Sequence, residues 1–115
     1  MSRVSAYYTD SERQEWFRDE DGVPSRIQHR DEVRLATIDW TGASGYSGTI
    51  STSTWESGGV TLSGSSTSGD TTYTTVTGTG GWARNTMTDS NSRIFVRDLR
   101  FYAPASGRNT DDYGN

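Results

Sequence analysis

The chain has 115 residues, with 11 basic and 15 acidic side chains, one His, no Cys and a formal net charge of −4. One domain fits that length, and the lack of Cys excludes a disulfide framework, a thiolate zinc site and a cysteine nucleophile. Leu, Ile, Val and Phe total 16 residues against 17 Thr and four Trp, a composition that points to a thin-cored β domain with polar extensions.

Residues 1–32 are charged and poor in aliphatics. Thr9 and Glu12 have capping-box spacing and Gly22 stands where a helix would stop, so residues 9–18 are expected to form one short helix. Val23-Pro24 then forces extended backbone. The zone reads as a polar N-terminal arm whose order depends on a partner. It has too little apolar surface to offset ~1–2 kcal/mol of backbone entropy per residue. Tyr7, Tyr8, Trp16 and Phe17 lie among its charges, too sparse for a core of their own. Aromatics of this kind, with Arg, are the usual interface anchors, and these four are the candidate partner-binding residues.

Residues 33–40 form the first convincing strand. From 41 to 81, 31 of 41 positions are Ser, Thr or Gly, the composition of a flexible linker. Against that, apolar residues recur between glycines at 50–55, 60–62 and 73–76, and strands at ~10-residue intervals with Gly turns signal a sandwich or barrel. Residues 82–88 alternate, with Ala83 and Met87 on one face, and 89–92 reads as a turn. Residues 93–102 make a strong strand, closed by Pro104. Phe95, Leu99 and Phe101 share one of its faces while Arg97 falls between them, which predicts a bulge near Arg97. The expected core is Trp55 with Ile50, Val60, Leu62, Met87 and Leu99 around it. Residues 103–115 read as a polar C-terminal tail. With no helical pattern between strands, the sheets are expected to be antiparallel.

Catalytic chemistry finds little support. His29 sits between Gln28 and Arg30 in the arm, and Gly45-Tyr46-Ser47-Gly48 continues with Thr49, so no Gly-x-Ser-x-Gly elbow is completed. Residues 78–83 satisfy Gly-x-Gly-x-x-Ala, but that motif needs a helix next, its N-terminus facing a pyrophosphate. The alternating residues that follow make the match a chance one. Asp19-Glu20-Asp21 and Asp111-Asp112 lack the spacing of a calcium loop and read as solvated charge. The expectation is no enzyme activity, no cofactor and no metal. No apolar run approaches the ~20 residues of a membrane span, and the first 30 residues hold no secretory h-region. The acidic balance argues against nucleic acid, which is held by basic surfaces that displace counterions. A protein made and used in a cytoplasm, or in something assembled there, is expected. All 11 basic residues are Arg, which suits permanent interfaces, although GC-rich coding would give the same bias.

The pieces Ile38-Asp39-Trp40, Ile50-Ser51-Thr52-Ser53-Thr54-Trp55, Gly59-Val60-Thr61-Leu62 and Asn85-Thr86-Met87-Thr88 are followed by the turn at 89–92 and by Arg93. In this order they resemble the phage fibre–tail adaptor proteins, a family of small Ig-like virion proteins of tailed bacteriophages. The resemblance spans residues 33–102, about 60% of the chain. It departs from the family at Gly81-Trp82, where members carry a Tyr, in the length of 63–70, and in the arm, which has no counterpart. The resemblance implies an antiparallel Ig-like β-sandwich without catalysis, in the neck, tail or fibre attachment of a phage virion. Its partners would be other virion proteins (neck, tail tube or fibre), in multiple copies of a symmetric assembly, with no nucleic acid or membrane. Two alternatives remain. One is a carbohydrate-binding module presenting at least two coplanar rings among Trp40, Trp55 and Trp82, with Tyr46. The other is a generic cytoplasmic Ig-like interaction domain.

Overall fold

The computed structural model describes residues 4–5 and 16–104. Among these it has nine strands and no helix: β1 (Val4–Ser5), β2 (Trp16–Arg18), β3 (Pro24–Ile27), β4 (Val33–Asp39), β5 (Ile50–Gly58), β6 (Thr61–Ser68), β7 (Thr71–Thr77), β8 (Gly81–Asp89) and β9 (Ile94–Tyr102). They form two sheets, ordered β1-β4-β7-β6 and β2-β3-β9-β8-β5. This all-β, two-sheet arrangement is compatible with a β-sandwich.

Strict alternation makes the inner strands. Thr72, Thr74 and Val76 are buried along β7 while their neighbours turn outward, and Ala83, Asn85, Met87 and Asp89 do the same along β8. Thr is β-branched and suits a pleated surface. The Ser/Thr/Gly-rich stretch therefore folds as β5, β6 and β7 and is not a linker. The turn after β8 holds Ser92 at φ 64°. Asp89 secures it, accepting the backbone N–H of Asn91 and Arg93 at 2.9 Å each.

Trp16, Ala36, Ile38, Trp40, Val76, Ala83, Met87, Leu99 and Phe101 fill the core. Met87 and Leu99 are buried, as expected for core residues, but Trp55 is not the centre. Trp55, Ile50, Val60 and Leu62 lie half-buried at the margin. The reason is their placement: β5 and β6 are the edge strands of their sheets, joined by the short link Gly59-Val60. Inward side chains there meet neighbours on one side only. Trp40 and Trp16 take the centre.

The N-terminal zone is the largest correction. Residues 16–18 form strand β2 where a helix end was expected, and Gly22, expected as a helix stop, takes φ 79° in the β2–β3 turn. Residues 9–15 lie outside the described residues. An isolated helix of ten residues is marginal in water. As a strand, the segment instead buries Trp16 edge-on against Phe101, with ring centroids 6.1 Å apart, which is worth far more. The arm therefore does not run to residue 32. β2 pairs antiparallel with β3, and β3 runs parallel to β9 from Ser25↔Arg100 to Ile27↔Tyr102.

β1 likewise runs parallel to β4, so the sheets are mixed, not wholly antiparallel. Parallel neighbours need a long connection, and both pairs are distant enough in sequence to have one. The bulge expected at Arg97 is absent: the β8–β9 register runs unbroken from Gly81↔Phe101 to Thr88↔Ile94. Irregularities fall instead between Ile50 and Thr52 and between Ser63 and Ser66. Arg97 keeps its inward phase by laying its guanidinium over the Trp40 ring, 5.3 Å from the centroid.

Two buried polar networks join the sheets. Trp40 Nε1 donates to Thr72 Oγ1 at 3.0 Å and that hydroxyl donates to Asn85 Oδ1 at 2.6 Å. Asn85 Nδ2 completes the relay by donating to Ser53 Oγ and to the Thr54 carbonyl, both at 2.9 Å. At the other end, Arg26 lies 1% exposed, stacked 4.7 Å from the Trp16 centroid. It donates to Gln28 Oε1 and to the Leu35 carbonyl, while Gln28 Nε2 donates to the Val76 carbonyl. Burial pushes the Arg26 guanidinium down to about 10, against a smaller upward pull from Glu32. It stays charged at neutral pH and straps β3 onto β4 and β7.

Candidate functional site

Because directly opposed residues share a face, the register places four rungs on the outer face of the five-stranded sheet. Across β5, β8 and β9 they are Gly58, Trp82 and Arg100; Glu56, Arg84 and Asp98; Thr54, Thr86 and Val96; and Thr52, Thr88 and Ile94. Beside β9, Ile27 stands opposite Tyr102, and the Phe17 ring leans on Tyr102 with centroids 6.2 Å apart.

Trp82 (38%), Ile94 (68%), Val96 (45%), Tyr102 (40%) and Ile27 (43%) are all exposed here. They are five of the six exposed large hydrophobics among the described residues; the sixth, Val33, lies on the other sheet. The outer face of that other sheet is dominated by Ser and Thr from β6 and β7, including Ser63, Ser66, Thr71, Thr75 and Thr77. Most of the exposed large hydrophobics therefore stand on one face of the molecule, among its Thr and charged residues.

The apolar face is built rigidly. Trp82 lies on Gly58, where an added Cβ would sit 2.7 Å from the indole Nε1. Only Gly lets the ring lie that close to the neighbouring strand. Arg84 reaches to within 5.4 Å of the Trp82 centroid and donates to both Asp98 oxygens, at 2.7 and 3.2 Å. The Asp98 hydrogen bond and charge push the Arg84 guanidinium up. Glu56 stands 3.9 Å from the same guanidinium. A shallow cleft of about 320 Å³ opens beside this rung, between Arg18, Val23, Pro24 and the Val96–Asp98 edge of β9.

A second ionic cluster pins the β2–β3 turn to this face. Asp19 Oδ1 accepts the backbone N–H of Asp21 and Val23, both at 2.9 Å. Its Oδ2 accepts Arg100 at 2.8 Å and the Tyr102 hydroxyl at 2.9 Å, and Arg100 also donates to Asp21 at 2.8 Å. Burial pushes the Asp19 carboxyl up, but the hydrogen bonds from Val23, Tyr102, Arg100 and Asp21 prevail and hold it down at about 2. The Asp19-Glu20-Asp21 run is thus a structural clasp more than a patch of solvated charge.

The sequence-based candidates fare unevenly. Trp16 is fully buried in the chain's own core, so it cannot anchor a partner. Phe17 does lie at the rim of the apolar face. Tyr7, Tyr8 and Asp111-Asp112 lie outside the described residues. His29 is on the surface, 3.9 Å from Asp31. The Gly-x-Gly-x-x-Ala stretch runs into strand β8, without the helix a pyrophosphate site requires. Among the described residues, no group of three or more His, Asp or Glu side chains could hold a metal ion. Trp82 was singled out from sequence only as a candidate sugar-binding ring, and Val96 and Ile94 were not recognised; the signal for those two is the stretch 94–96, which is apolar on both faces of its strand. Comparison with protein-family models, curated proteins and solved structures finds no match to the chain.

Proposed function

We propose that the chain is a non-catalytic structural module of a tailed-phage virion, an adaptor in the neck or tail that attaches fibres or links tail components. One observation carries the reading: the exposed apolar side chains are gathered on a single sheet face, around an Arg–carboxylate rung. Exposed large hydrophobics concentrated on one face and rimmed by polar residues mark surfaces that bind a partner. Flat, aromatic- and Arg-bearing surfaces are the kind that bind other proteins.

Strand order supports the Ig-like component of the proposal. β9-β8-β5 corresponds to the G-F-C series of an immunoglobulin fold and β4-β7-β6 to its B-E-D series. Residues 33–102 also carry the pieces that resemble the adaptor family. The sugar-binding alternative required two exposed, coplanar Trp rings. Trp16 and Trp40 are buried and Trp55 is half-buried, which leaves Trp82 by itself.

Quantitative mass spectrometry of virus-sized particles purified from cells that express the chain from its native genome tests the proposal. The chain is expected at a fixed ratio to tail proteins. Its absence from particles, with free protein in the lysate, would overturn the virion reading and favour the generic cytoplasmic interaction domain.

A further inference from the structure

We propose that the outer face of the five-stranded sheet pairs with the same face of a second copy, about a two-fold axis lying between β8 and β9 and parallel to them. The pairing rests on the reading of this face as an assembly surface and adds what covers it.

Self-complementarity is the argument. Such an axis exchanges β8 and β9 while keeping each residue at its level along the strands, so every residue faces the copy of its own cross-strand neighbour. The register then sets each contact. Arg84 meets the partner's Asp98, and Asp98 meets the partner's Arg84. Trp82 lies against the partner's Arg100, a cation–π contact in reach of a flat indole. Thr86 and Thr88 pack on the partner's Val96 and the partner's Ile94, covering the two most open apolar side chains of this face.

The alternative axis, perpendicular to the strands, lays β8 on β8. Placed at the level of Ala83 and Leu99, it sets Arg84 on the partner's Trp82 and Asp98 on the partner's Arg100, so Arg84→Glu, which brings like charges together only about the parallel axis, separates the two. On this face Arg84 and Arg100 stand with Glu56, Asp98 and the clasp carboxylates Asp19 and Asp21, so a like partner is favoured by the reciprocal Arg84–Asp98 contacts beside the axis and not by the overall charge.

Area sets the strength. β5, β8 and β9 have nine residues each; at ~3.3 Å per residue and ~4.8 Å between strands they span ~430 Å². About this axis β8 and β9 cover each other, β5 meets only the four residues of β3 and β2 meets nothing, so ~410 Å² per copy is covered. The pair therefore buries ~800 Å², below specific interfaces and in the range of weak, transient ones. A concentration-dependent dimer, not an obligate one, is expected.

Sedimentation equilibrium of the full chain tests the pairing, with thermal melts to verify folding. The wild type should show a monomer–dimer equilibrium. Arg84→Glu places like charges on both reciprocal contacts and Asp98→Arg does the same with the opposite sign. Each should weaken dimerisation at least about tenfold, since like-charge juxtaposition is strongly unfavourable. An equimolar mixture of the two variants should restore dimers, because every contact in the mixed pair is again Arg to carboxylate. The double exchange Arg84→Asp with Asp98→Arg in one chain should restore the homodimer. If single exchanges disturb folding, Ile94→Glu removes an exposed apolar contact without touching the ionic rung, and should also abolish dimers.

A wild type that stays monomeric up to ~1 mM, well beyond the range of weak interfaces, overturns the proposal. So does a dimer that Arg84→Glu and Ile94→Glu leave intact, or a mixture that stays monomeric. Should the chain be monomeric yet present in particles, the virion reading stands and the face belongs to another virion component.

Discussion

Thr72, Thr74, Asn85, Gln28 and Arg26 are fully or almost fully buried, which explains how a chain with 16 Leu, Ile, Val and Phe residues holds two sheets together. Thr72, Asn85, Gln28 and Arg26 spend their polarity on hydrogen bonds across the core, and Thr74 donates to the Ser63 carbonyl of the neighbouring strand. Such networks rigidify when complete and are costly when broken. Asn85→Ala leaves the Thr72 hydroxyl without its acceptor and removes the side-chain donors to the Thr54 carbonyl and the Ser53 hydroxyl. We expect a loss of about 2–4 kcal/mol, read by urea denaturation. Trp40→Ala should cost ~3–5 kcal/mol as a fully buried Trp, and Trp55→Ala clearly less because its ring is only half-buried at the edge. Equal costs would return Trp55 to the centre of the core. Asp19 supplies a pH signature. Its carboxyl is held at about 2, below its ordinary 3.8, so between these values the folded state binds fewer protons than the unfolded state. The stabilisation is complete above about pH 4 and is lost as the pH falls towards 2. Melting temperatures of the wild type should therefore drop more steeply across that window than those of Asp19→Asn, which has no carboxylate to protonate. Parallel curves would mean the clasp contributes nothing.

At the scale of elements, the β2–β3 hairpin is part of the fold and not an appendage. It covers the edge of β9, places Trp16 beside Phe101 and delivers Arg26 to the opposite sheet. A chain beginning at Asp31 loses all three. It should fail to give a cooperative melt, because Leu99 and Phe101 lose their cover; a cooperative transition near the wild-type temperature would contradict this role. The same elements show what was legible in the sequence. Strands β4, β7, β8 and β9 could be read from alternation, and the turn at 89–92 from Asp and Asn. β2 could not, because three residues set no period, and the Thr9–Glu12 capping spacing suggests a helix whose competitor, burial of Trp16, is a tertiary effect. Parallel pairing of β3 with β9 leaves no local trace either, since the two strands lie more than 70 residues apart. Of the candidate site, Phe17 was singled out from sequence and lies at its rim against Tyr102. The rung pairing Arg84 with Asp98 was not, because it depends on a register that the absence of a bulge at Arg97 decides.

At the scale of the whole molecule, a small two-sheet domain buries little of its surface. A module of this size is marginal alone and gains stability from anything that binds its folded form. A Ser/Thr face keeps one side solvated, while the opposite side gathers Trp82, Ile94, Val96, Tyr102 and Ile27. That division of labour suits a part that is built into something larger. The most direct measurement is the copy number of the doubly substituted chain, Ile94→Glu with Val96→Glu, in purified particles. Both positions are exposed, so the melt of the free protein should stay within a few degrees of wild type. If the apolar face is the assembly surface, incorporation should fall severalfold or vanish while the variant remains folded in the lysate. Incorporation at the wild-type level would show that attachment runs through another part of the molecule.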